Sequence, residues 1–124
     1  MKIRKIEDLK NIPEGITELD ISGLGLTTLP KLPQSLTKLI CSSNQLTSLD
    51  NLPQSLTILN CGINKLTSLD IANCNELEYL VYNNNNFPKE METILDDKDL
   101  TIQEKIDKLI EGCLIPNDNS FVLK

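Results

Sequence analysis

Two consecutive stretches of 20 residues share 14 identical positions: LPQSLTKLICSSNQLTSLDN at 32–51 and LPQSLTILNCGINKLTSLDI at 52–71. A period of this size restricts the chain to folds in which one short unit stacks on copies of itself, because no unit buries its apolar edge alone. Leu36, Leu39, Cys41, Asn44, Leu46 and Leu49 recur as Leu56, Leu59, Cys61, Asn64, Leu66 and Leu69. One step back lie Ile16, Leu19, Ile21, Leu26 and Leu29, with Leu24 where Asn is expected. The step forward takes 21 residues and reaches Leu77, Leu80, Tyr82, Asn85 and Phe87, the extra residue falling in IANCNE. A second step back finds only Ile6 and Leu9. These steps predict a cap or half repeat over 1–15 and four repeats over 16–87.

The spacing LxxLxL predicts a short strand around each of Leu19, Leu39, Leu59 and Leu80, with alternate side chains on opposite faces. Stacked in parallel about 4.8 Å apart, the strands form a narrow sheet over one leucine column. The Asn of each repeat turns the chain out of its strand and bonds backbone groups that are otherwise buried and unpaired. Pro33 and Pro53 keep the return segment extended or polyproline-like rather than helical. The expected class is therefore α/β of the repeat type, a shallow solenoid with the parallel sheet on its concave side.

After Phe87 the pattern changes, and residues 88–124 are expected to form a helical cap and tail. Pro88 suits a first helical position, with Met91, Ile94 and Leu95 on one side. Thr101 with Glu104 three residues on is a capping box. It opens an apolar stripe of Ile102, Ile106, Leu109, Ile110 and Cys113, on which Cys113 is expected to be packed. The tail is polar apart from Phe121–Leu123.

LPxSLTxLxCxxNxLTSLD resembles the short bacterial-type leucine-rich repeats of enterobacterial type III effectors and of giant-virus proteins, and IPEGITELDISGLGLTTLP at 12–30 looks most like the effector form. The resemblance spans roughly residues 6–87 and implies a scaffold that displays a binding surface. Some such effectors are ubiquitin ligases with a Cys-x-Asp nucleophile in a large C-terminal domain. Here Cys41, Cys61, Cys74 and Cys113 have no Asp two residues on, and that activity is not implied.

The chain has no His, so imidazole bases, triads and His metal sites fall away. Its net charge of −6 disfavours binding to phosphate backbones. The acidity sits in one half: residues 1–62 carry six basic and six acidic side chains, residues 63–124 six and twelve. MKIRKIEDLK lacks the apolar run of a secretory signal, and no stretch has the roughly 18 apolar residues of a spanning helix. The thiols are expected to be free in a reducing compartment, with Cys41 and Cys61 filling core. An intracellular, cytoplasmic protein is expected, in the host cytosol for an effector or viral protein.

Asp96, Asp97 and Asp99 lack the glycine and alternation of an EF-hand loop and read as an interhelical turn. The run Asn83–Asn86 reads as a turn and ladder ahead of a carbohydrate ridge. No catalytic, cofactor or metal residue is assigned, and no enzymatic activity, nucleic acid or membrane partner is expected. The outward strand positions are the candidate site: Glu18, Asp20, Lys38, Ile40, Ile58, Asn60, Tyr79 and Val81, with Ser22, Gly23, Ser42, Ser43, Gly62, Ile63, Asn83 and Asn84 beyond them. Ile40, Ile58, Tyr79 and Val81 form an expected exposed apolar cluster, the kind of contiguous patch that marks an interface. The expected role is non-enzymatic recognition of a protein partner through this face by a monomer. The alternative is a structural building block of a homodimer or larger assembly.

Overall fold

The computed structural model describes residues 1–116 of the 124, so the apolar group Phe121–Leu123 lies outside the described residues. Four strands, β1 (Glu18–Asp20), β2 (Lys38–Ile40), β3 (Ile58–Asn60) and β4 (Tyr79–Val81), pair in parallel in sequence order. Leu19, Leu39, Leu59 and Leu80 stand in register across the sheet, so the steps of 20, 20 and 21 residues are the steps of the strands. No helix intervenes between successive strands. With two helices beyond β4, the architecture belongs to the α/β class.

The identical letters of the repeat have identical work. Pro33 and Pro53 each open a turn closed by a bond from Leu36 N or Leu56 N to the proline carbonyl. The Ser35 hydroxyl then donates to the Ile16 carbonyl and that of Ser55 to the Leu36 carbonyl. Thr37 and Thr57 donate to the carbonyls of Thr17 and Thr37. The serines thus satisfy the Ile16 and Leu36 carbonyls of the copy before, while the Thr17 and Thr37 carbonyls also accept backbone N–H groups. Leu36, Leu39, Cys41 and Leu46, with their equivalents Leu56, Leu59, Cys61 and Leu66, are fully buried.

The asparagines form a ladder. The Asn44 amide donates to the carbonyls of Ile21, Cys41 and Ser42, and its oxygen accepts from Leu24 N and Leu26 N. Asn64 donates to Cys41, Cys61 and Gly62 and accepts from Leu46 N. Asn85, chosen from among four consecutive asparagines, donates to Cys61, Tyr82 and Asn83 and accepts from Leu66 N.

The N-terminal register differs from the 20-residue step. Lys2 bridges Asp20 in parallel, an offset of 18, with Ile3 N donating to the Asp20 carbonyl and Asp20 N to that of Met1. Ile3 is therefore the buried residue, whereas Ile6 opens a 3-10 helix (Ile6–Asn11) and is exposed.

Beyond Phe87, α1 (Lys89–Leu95) starts one residue later than the sequence suggests, with Pro88 as its N-cap. α2 (Ile102–Glu111) begins at the predicted Thr101–Glu104 capping box. Met91, Leu95, Ile106, Leu109 and Ile115 join the same buried cluster as Leu77 and Phe87. Gln103 of α2 donates to the Cys74 and Leu77 carbonyls at 2.9 and 3.0 Å, as Ser55 does to Leu36 two repeats earlier. Cys113 is a correction: it is exposed. The helix ends at Gly112, and Cys113 adopts a left-handed φ of 56° that takes it off the apolar stripe.

Candidate functional site

The outward side chains of the sheet form two rows in strict register. One runs Glu18, Lys38, Ile58, Tyr79 and the other Asp20, Ile40, Asn60, Val81. The leucine between each pair points into the core, and the alternation of a strand therefore turns both rows to the opposite face. Glu18, Tyr79 and Val81 are exposed, Tyr79 to 63%. Lys38, Ile40, Ile58, Asn60 and Asp20 are half-buried. The expected exposure of Ile40 and Ile58 is thus corrected: they lie on inner strands, and neighbours about 4.8 Å away on both sides cover their flanks. The apolar surface is concentrated at the β4 end.

Two polar members of the rows are engaged locally. Asp20 accepts from Ser22 N at 2.9 Å, from the Ser22 hydroxyl at 2.6 Å and from Lys2 Nζ at 3.3 Å. Burial pushes its carboxyl up, but the bonds from Ser22 and Lys2 outweigh burial and hold it below its ordinary value. The Asn60 side-chain oxygen accepts from Gly62 N at 3.1 Å.

A third row lies just past the strands. Gly23, Ser43, Ile63 and Asn84 occupy one repeat position, and all four have left-handed backbone, at φ 71°, 55°, 55° and 58°. Glycine and asparagine suit that region, whereas a β-branched residue there is an outlier. Ile63 is also half exposed, at 50%, beside the β4 neighbour Asn83, whose carbonyl accepts from Ile63 N. It is a further exposed apolar side chain, in the repeat before that of Tyr79 and Val81. The sequence signal was available: an isoleucine where the other copies carry Gly, Ser and Asn. Replacing Ile63 by Asn is expected to stabilise the fold by about 1 kcal/mol, by relieving strain of that order. An unchanged or lower midpoint in denaturant unfolding contradicts the strain.

Among the described residues, no group of three or more Cys, Asp and Glu side chains is placed to hold a metal ion. Cys41, Cys61 and Cys74 are buried free thiols. Burial pushes all three up, Cys61 to about 12 and Cys74 to about 11, so they are protonated and unreactive at neutral pH. The Tyr82 hydroxyl donates to the Asp96 carboxylate, and burial followed by that carboxylate raises its pKa as well. Asp96, Asp97 and Asp99 lie in the turn between α1 and α2, where Asp97 accepts from Asp99 N.

These raised values give stability a pH dependence of definite sign. A group whose folded pKa lies above its unfolded value contributes fully below the unfolded value, about 8.5 for a thiol. The contribution is lost as pH rises through the folded value. Denaturant midpoints are therefore expected to fall between pH 9 and the pKa values near 11 and 12 of Cys74 and Cys61. The fall should be shallower in Cys61→Ala. A flat profile across that window overturns the assignment.

No helix among the described residues is long and apolar enough to cross a membrane. Comparison with family models and with curated proteins finds no match to this chain.

Proposed function

We propose that this chain is a leucine-rich-repeat module, without enzymatic activity, that recognises a protein partner in the cytoplasm through the outward face of its parallel sheet. The observation that carries this reading is the exposed apolar pair Tyr79 and Val81 on the outward face of β4, with half-buried Ile58 in register with Tyr79 and half-buried Ile40 on the next strand. Apolar groups of this kind are uncommon on surfaces that meet only water. Ile63 adds weight, because a strained residue that stays apolar and exposed has no reason within the fold. The 20-residue repeat, the asparagine ladder and the return segments without helix support the family reading, which implies display rather than catalysis.

Binding energy in such a surface concentrates in a few central aromatic anchors. Among the described residues Tyr79 has the most exposed aromatic ring, and its hydroxyl adds a polar handle. The test begins with cross-linking in cell extract, comparing the wild-type chain with Tyr79→Ala and retaining only proteins lost in the variant. Titration of a retained protein should show Tyr79→Ala weakening affinity by about 2 kcal/mol or more, with an unchanged unfolding midpoint. Glu18→Lys should act on association rate and its salt dependence. Equal binding by both variants, with binding lost only on changes opposite the sheet face, refutes the reading.

A further inference from the structure

The two ends of the sheet are unlike in charge and alike in being unfinished. At one end the strand Met1–Ile3 covers β1, using the Met1 carbonyl and the Ile3 N–H on its inner side. The alternation of a parallel ladder leaves the Lys2 N–H and carbonyl on the outer side, with no partner among the described residues. At the other end, Cys61 N donates to the Val81 carbonyl, and the equivalent donor one repeat on is Tyr82 N. Among the described residues none accepts from it, and no fifth strand follows β4. The cap formed by α1 and α2 supplies the return side through Gln103 and leaves this edge open.

The leucine column is uncovered at the same two places. Lys2 is in register with Asp20, which puts Met1 level with Leu19, and Met1 is 48% exposed. Leu80 is half-buried, whereas Leu39 and Leu59 are fully buried. Among the described residues, four of the five exposed large apolar side chains belong to these ends: Met1 and Ile6 at one, Tyr79 and Val81 at the other. Lys2, Arg4 and Lys5 make the first end basic. Glu92 and Asp96 line an open groove of about 420 Å³ along Leu80, Val81 and Tyr82, and exposed Glu78 precedes it.

We propose that copies of this chain associate head to tail, the Met1–Ile3 strand of one copy pairing in parallel with the outer edge of β4 of the next. Tyr82 N–H then donates to the Lys2 carbonyl, and Lys2 N–H to the Leu80 carbonyl, the register already used between β3 and β4. Met1 covers Leu80 and continues the leucine column, while Arg4 and Lys5, level with Asn83 and Asn84, come to the side of the groove that Glu92 lines. Such a contact is heterologous, so it does not close at two copies but propagates. It uses the sheet edge and does not rest on partner recognition by the sheet face.

Sedimentation velocity of the full chain tests it. The mean mass should rise continuously with concentration, without a plateau at two copies, and less steeply at high salt. Glu92→Lys and Arg4→Glu/Lys5→Glu change exposed charges, and each variant alone should associate about tenfold more weakly. An equimolar mixture should recover association, because reversed head then meets reversed tail. A wild-type chain that is monomeric at every concentration, or that stops at a dimer, overturns the proposal. So does a mixture that fails to recover while both variants keep the wild-type unfolding midpoint. Ile58→Ala, on the inner strand β3 away from both edges, separates the two surfaces, since loss of partner binding with intact self-association leaves the edge contact standing.

Discussion

Replacing Asn44 by Ala should cost more stability than the same change at Asn64, although the two side chains are equally buried, at 7% and 8%, and occupy one repeat position. The difference lies in what each leaves behind. Without Asn64, the Cys41 carbonyl keeps its bond from Asn44 and the Cys61 carbonyl its bond from Asn85. The Gly62 carbonyl still accepts from Ser43 N. Only the buried Leu46 N–H is orphaned. Without Asn44, the Cys41 carbonyl keeps Asn64 and the Ser42 carbonyl keeps Gly23 N, but Leu26 N, Leu24 N and the Ile21 carbonyl lose their partners together. Leu24 stands where an asparagine would share that load. At about 1–3 kcal/mol for each unsatisfied buried group, Asn64→Ala should cost about 2–3 kcal/mol and Asn44→Ala about 4 kcal/mol or more. Denaturant unfolding of the two variants side by side decides it. Equal losses mean that water reaches the Ile21 carbonyl and the ladder is not shared as described.

How far the fold could be read in advance follows from how each element is specified. The strand register was legible because a leucine shifted by one residue would point to the other face, which fixes Leu19, Leu39, Leu59 and Leu80 against one another. The cap of α2 was legible because Thr101 and Glu104 satisfy each other locally. The N-terminal strand was not: three residues carry too little pattern, and Ile6 matches Leu26 by spacing although Ile3 is the residue that is buried. Cys113 was misplaced because helix periodicity was carried one residue past Gly112, where the backbone turns left-handed. Gln103 as a substitute for the next repeat's serine leaves no local signature, since its acceptors lie 26 and 29 residues away.

The candidate surface was legible as a set of positions but not as an energy map. Tyr79 and Val81 are exposed because no further strand among the described residues pairs with β4, and Ile40 and Ile58 are half-buried because strands flank them, which is a matter of sheet order rather than residue type. Ile63 was visible as an apolar letter in the right row, but its strain becomes apparent only with its backbone angle. Asp20 reads from sequence as a rim charge, yet its oxygens are bound by Ser22 and Lys2.

The same asymmetry between inner and outer strands makes Leu59→Ala far more damaging than Leu80→Ala. Leu59 is fully buried, in register between Leu39 and Leu80, with no solvent on either side. Truncation there removes the transfer energy of the lost methyl groups and leaves a cavity that two flanking strands, held by ladder bonds, cannot close. The expected loss is about 2–5 kcal/mol. Leu80 occupies the same position in its repeat, but its outer side meets no further strand among the described residues and the chain there is free to settle. Its truncation should cost about half as much, since the cavity contribution depends on how far a site can collapse. Denaturant unfolding of both variants measures the pair, and amide exchange adds where the structure opens. In Leu80→Ala the amides of β4 should exchange faster while those of β2 keep their wild-type protection. In Leu59→Ala protection should fall on both sides of the cavity, because every repeat is stabilised only through its neighbours. If the two substitutions cost the same, Leu80 is as enclosed as Leu59, and the β4 edge proposed to receive a second copy is closed in solution.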